Sequence, residues 1–99
     1  MLVAAVRFDL RIPGCGSLKE KRHVVKTLSA GLRQKFNVSV AETGHHDLWQ
    51  RAEIGVSAVT AERYHARRVM HEVERFVERF GPVEMIGVQR SEVDPEDLE

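Results

Sequence analysis

Cysteine is nearly absent from this 99-residue chain, where Cys15 stands alone. A single thiol excludes an internal disulfide, a four-thiolate zinc site and an iron–sulfur cluster held by one chain. Long apolar runs are missing too: the longest, Leu2 to Val6, is far short of the ~20 residues of a membrane-spanning helix. The N-terminus passes directly into a strand-like pattern, with no basic stretch, apolar core and small-residue cleavage site. No secretory leader is expected, no membrane is a partner, and a cytoplasmic location follows. No low-complexity linker interrupts the chain, and its length suffices for one buried core but not two. A single domain is expected over residues 1–90, followed by an acidic tail over 91–99 that frays.

Net charge is also absent, with 15 Lys and Arg against 15 Asp and Glu, yet the charges are unevenly spread. Residues 1–39 hold eight cationic side chains against two carboxylates, a balance of +6 that the remainder returns as −6. Such a split predicts a basic face able to meet phosphate wherever folding keeps the halves apart.

What is present is periodicity. Leu2, Ala4, Val6, Phe8, Leu10 and Ile12 alternate with Val3, Ala5, Arg7, Asp9 and Arg11, a strand with one buried face. Pro13 and Gly14 end it, and Ser17 with Glu20 forms a capping-box signature for a helix from Leu18 to about Phe36. A strand from Val38 to about Thr43 follows. A connection of His45, His46, Asp47, Leu48 and Trp49 leads to a third strand over Ala52–Val59. Residues 61–80 carry a second amphipathic helix, stopped by Gly81 and Pro82, and Val83 to about Gln89 makes a last strand. The order βαββαβ, with one fully apolar face per strand, predicts a ferredoxin-like α+β sandwich: a four-stranded antiparallel sheet with both helices on one face. Arg7, Asp9, Arg11, Glu53, Gly55 and Ser57 then share the uncovered face.

The turn into the first helix is a candidate anion site. Helix N-termini leave N–H groups unpaired, and here Gly16 and Ser17 stand beside Lys19, Lys21 and Arg22. Gly14 and Gly16 also suit a tight turn by permitting positive φ, Gly14 more so. At 100° per residue Lys19, Arg22, Lys26 and Arg33 fall within about 60° of one another, a cationic stripe on the polar side. Lys21 lies in the apolar arc, but its long stem is expected to carry the ammonium past the sheet edge to join the anion site. The second helix mixes Arg67, Arg68, Arg75 and Arg79 with Glu72, Glu74 and Glu78, a solvated face.

Other readings attach to the loop and the sheet. His46 and Asp47 are residue types of general acid–base and metal chemistry, but adjacent histidines do not aim at one centre and no thiolate lies near. No metal or cofactor is therefore expected, and a turn with Asp47 capping backbone is the simpler role. Trp49, Gln50 and Arg51, with His46 and Asp47, are candidate partner contacts, since Trp and Arg favour interface centres. Cys15 has no resolving thiol and reads as structural. Val3, Ala5, Val59 and Met85 are expected to leave part of the open sheet face apolar, favouring a homodimer. Base stacking on that face is not expected, because its central positions carry no aromatic ring.

Three blocks, Ser17-Leu18-Lys19-Glu20-Lys21-Arg22, Phe36-Asn37-Val38-Ser39-Val40-Ala41-Glu42 and Asp47-Leu48-Trp49-Gln50-Arg51-Ala52, resemble the YlxP-like family of small bacterial proteins. The likeness spans nearly the whole chain. It implies a ferredoxin-like fold and a gene often found beside those of translation initiation factor two and ribosome-binding factor A, with no catalytic residue to carry over. Together the residues and the resemblance predict a non-enzymatic module that associates with ribosomal RNA or a ribosomal subunit through Lys19, Lys21, Arg22, Lys26 and Arg33. One alternative is a homo-oligomeric interaction module using the open sheet face and the Trp49 loop. A weaker one is a small enzyme using His46 and Asp47.

Overall fold

The alternation of residues 2–11 becomes a strand, β1 (Leu2–Arg11), whose inward row of Leu2, Ala4, Val6, Phe8 and Leu10 is buried. The computed structural model describes residues 1–98, and β1 is followed by α1 (Leu18–Lys35), β2 (Ser39–Gly44), β3 (Arg51–Thr60), α2 (Arg63–Arg79), β4 (Glu84–Val93) and a 3-10 turn at Pro95–Leu98. The strands form one antiparallel sheet in the order β2-β3-β1-β4, so the expected ferredoxin-like α+β sandwich is the fold. Both central strands present an apolar row to one side. Ala52, Ile54, Val56 and Ala58 of β3 stand beside the β1 row, and the helices close over them with Leu28 and Leu32 from α1 and Ala66, Met70, Val73 and Val77 from α2. A Cβ on Gly31 of α1 would come within 2.8 Å of the Phe76 ring of α2, so the two helices meet over a glycine.

The last strand departs from expectation in two ways. Leu10 pairs with Met85 but Asp9 pairs with Gly87, so Ile86 is an extra, half-exposed residue at a bulge. The slip turns Met85 toward the core, where it packs against the buried cluster, and not onto the open face expected of it. Beyond the bulge the strand runs on through Ser91, Glu92 and Val93, so these residues of the expected tail are paired with β1. Arg90 and Glu92 lie on the helix side and are held by α2: Arg90 donates to Glu74, and Glu92 accepts from Arg63 at 2.8 Å and Arg67 at 2.9 Å.

Chain direction gathers three connections at one end of the sheet. The turn after β1, the hairpin between β2 and β3, and the Phe80–Val83 turn before β4 all lie beyond the row where Arg11 pairs with Arg51 and Glu84. The helix α1 also begins there.

Candidate nucleic-acid interface

The start of α1 is capped from within. Ser17 takes an extended conformation, its Oγ accepts from the Glu20 N–H at 3.1 Å, and the Gly16 N–H donates to Glu20 Oε2 at 2.7 Å. The chain's own carboxylate thus occupies the place expected for an external anion, which withdraws Gly16 and Ser17 as ligand donors. Gly14, at φ +75°, supplies the left-handed residue of the turn, whereas Gly16 does not. Cys15 is buried, with its Sγ 3.4 Å from the Ser17 carbonyl.

Lys21 also differs from expectation. It is 1% exposed, and its ammonium lies 3.0 Å from Glu42 Oε2 and donates to the His45 carbonyl. The side chain runs inward to the end of β2, not outward past the sheet edge, because a carboxylate and a carbonyl there replace the water it loses.

What remains on α1 is a row of unpaired cations. Lys19, Arg22 and Lys26 are exposed, and among the described residues none forms an ion pair. Arg33 extends the row, with Nη2 donating to the Val40 carbonyl at 2.6 Å. From Lys19 to Arg33 the stripe covers about 21 Å of helix. Some cations elsewhere are paired: Arg63, Arg67 and Arg90 are tied to carboxylates between α2 and β4, and Arg51 grips Asp9 with two contacts of 2.9 and 2.8 Å. Arg11, Lys35, Arg68, Arg75 and Arg79 are, like the α1 row, exposed and without an ion pair among the described residues.

The β2–β3 loop is closed by the Leu48 N–H on the His45 carbonyl at 3.1 Å, with His45 at φ 58°. A backbone bond from a left-handed histidine therefore makes the turn, in place of the cap expected from Asp47. His46 sits 3.2 Å from the Glu42 carbonyl through its ring nitrogen, and Asp47 is exposed. Among the described residues no group of three or more His, Cys, Asp or Glu side chains is placed to hold a metal ion. Gln50 faces the α1 turn, donating from Nε2 to the Cys15 carbonyl at 3.3 Å, while its own carbonyl accepts from Ile12 at 2.9 Å. Leu48 and Trp49 project from this anchored loop, 49% and 51% exposed. No signal in the sequence reveals that this loop is bonded to the α1 turn, since the contacting residues lie 35 positions apart.

The sheet face away from the helices is open. An exposed basin of about 700 Å³ lies over Ala5, Gly55, Ser57 and Ser91, bordered by Arg7, Thr43, Glu53 and Gln89. Its charges are internally matched: Arg7 meets Glu53 at 3.5 Å and donates to Gln89, and Thr43 donates to Glu53 at 2.8 Å. No aromatic side chain lies on the central strands of this face, and Phe8 is fully buried. Among the described residues no helix is long and apolar enough to cross a membrane.

Comparison with known proteins gives a family and a fold. A family described as "Protein of unknown function (DUF503)" matches residues 3–90. A Bacillus subtilis (strain 168) protein described as "Uncharacterized protein YlxP" is 41% identical over 69 residues, covering 70% of this chain and 75% of that protein. Among solved structures, the de novo designed protein Foldit4 superposes with a TM-score of 0.57 at 13% identity, covering 94% of this chain and 96% of the design. The likeness to the designed protein is one of fold alone.

Proposed function

The chain belongs to the DUF503 family of proteins of unknown function, and from that premise we propose that it is a non-enzymatic module binding ribosomal RNA along α1. The observation that carries this reading is the row of exposed cations at Lys19, Arg22 and Lys26, continued by Arg33, without carboxylate partners among the described residues. On α2 Arg68, Arg75 and Arg79, unpaired among the described residues, are interleaved with Glu72 and Glu78, whereas no carboxylate follows Glu20 on α1. An unpaired row about 21 Å long suits an extended polyanion better than a compact ligand. The gene neighbours implied by the YlxP-like resemblance favour the ribosome as the source of that RNA.

Recognition by charge makes binding depend on salt. With three to four phosphates neutralised, the log–log slope of affinity against salt is about −2 to −3. Cosedimentation with ribosomal subunits is the test: the protein is expected to travel with a subunit at low salt and to leave it at high salt. Reversal of Lys19, Arg22 and Lys26 to Glu, all at exposed positions, should abolish it while circular dichroism stays that of the parent. Unchanged cosedimentation of that triple variant would refute the proposal.

A second reading is favoured by a different surface. Val59 is 66% exposed on the open sheet face, beside a basin floored with small side chains and bordered by charges already paired. Such a nearly neutral face suits a second copy of the chain better than RNA.

A further inference from the structure

We infer that Trp49 is a stacking platform for one unpaired nucleobase of the RNA whose phosphates follow α1. This rests on the RNA-binding reading above and adds a contact that is not electrostatic. A half-exposed tryptophan at a hairpin tip gives up apolar burial, and here the backbone beneath it is fixed. Gln50 is bonded to Ile12 and to Cys15, and the His45 carbonyl accepts from both Leu48 and the buried Lys21 ammonium. The ring is therefore mounted on the turn that opens α1, at the end of the helix where Lys19 and Arg22 begin the stripe. Sequence spacing separates these features by some thirty residues; the fold brings them to the same end of the sheet.

The neighbouring charge chooses the occupant. An exposed Trp can anchor a protein as well as a base, but this one stands on a loop bonded to the turn that opens α1, where the exposed Lys19 and Arg22 form no ion pair among the described residues. A polymer with regular negative charge and flat π faces meets both features, with cations on its phosphates and the indole on a base. The open sheet, which lacks aromatic rings, offers no competing platform.

Trp49 is the only tryptophan in the chain, so its fluorescence reports on this contact alone. The full chain is titrated with a single-stranded uridine oligonucleotide of about 12 nucleotides and, separately, with inorganic polyphosphate of similar total charge. Saturable quenching is expected with the oligonucleotide and not with polyphosphate. Trp49→Ala should weaken oligonucleotide binding by about 5- to 150-fold, leave polyphosphate binding and the salt slope unchanged, and be largely rescued by Trp49→Phe. Circular dichroism of each variant should match the parent, since the side chain is not part of the core. Oligonucleotide binding with unquenched fluorescence and full affinity in Trp49→Ala would overturn the platform while leaving the α1 reading intact. Equal quenching by polyphosphate would also overturn it. Failure of both polyanions to bind would remove the two readings together.

Discussion

The ammonium of Lys21 has exchanged water for the Glu42 carboxylate and the His45 carbonyl. Desolvating such a group costs several kcal/mol, recovered only while the oxygens stay in place. Glu42→Ala is therefore expected to destabilise the fold by about 3 kcal/mol in denaturant unfolding, the lower end of the range for broken buried pairs, because the Glu42 side chain keeps 21% exposure. Lys21→Met together with Glu42→Leu should regain most of that loss, since apolar side chains of similar volume leave no stranded charge. A double variant as unstable as Glu42→Ala would show that the slot needs the charges themselves. The position of Lys21 in the apolar arc of the helix was legible, but the inward course of its ammonium was not: it was expected past the sheet edge and lies instead against Glu42 and the His45 carbonyl. Nor was its partner, because Glu42 arrives on the next strand after the chain reverses, and no spacing rule links the two. The capping box of Ser17 and Glu20 was likewise legible as a helix start. That the same carboxylate would fold back on the Gly16 N–H depends on the turn geometry at Gly14, which the residue types permit without specifying.

Among the elements, β4 depends most on a neighbour, with its second half fastened to α2 by charge. The Glu92 carboxyl is held below its ordinary range first by the hydrogen bond from Arg67, with Arg63 adding to it, while Glu74 holds the Arg90 guanidinium above its own. A depressed carboxyl pKa contributes stability above the unfolded value, about 4.3 for glutamate, and loses it as pH falls through the lower folded value. Amide protection at Ser91–Val93 should thus decline in acid before that of the central strands, as measured by hydrogen exchange. Glu92→Gln should show the reduced protection at neutral pH, with no acid step at this site; equal protection in the two proteins would refute the fastening. This element was the least legible. Arg90 and Glu92 interrupt the alternation that marks a half-buried strand, and the bulge at Ile86 changes which residues face the core. By contrast β1, β3 and both helices have periods that agree with their surroundings, so their existence and facing followed from pattern.

On the scale of the whole molecule, two surfaces remain available and they differ in kind. One runs along α1 from the end where the Trp49 hairpin lies and is positively charged; the other is the open sheet face, with the charges around its basin paired and Val59 at its margin. If the second reading holds, light scattering gives twice the 11.3 kDa chain mass, and Val59→Lys returns it to one. A parent protein of single-chain mass at high concentration would dismiss the dimer without affecting RNA binding, because the surfaces share no residue. The cationic stripe itself was legible from helical angles. Its junction with Trp49 was not, since only chain direction and the Gln50 and Lys21 bonds bring them to one end.

The position of β4 at the end of the sheet has a consequence for crowded solutions. Its outer backbone groups are a template on which another chain can zip. Along the second half of β4 an added strand would find the Arg63, Arg67 and Glu92 ion pairs on its helix side, with Arg90 and Glu74 beside them, and no greasy shelf there against which to stack. Sticky apolar segments, the kind that seed fibrils, would gain little there. The same charges that fasten the strand inward keep the Arg90–Val93 half of its rim a poor nucleus for aggregation.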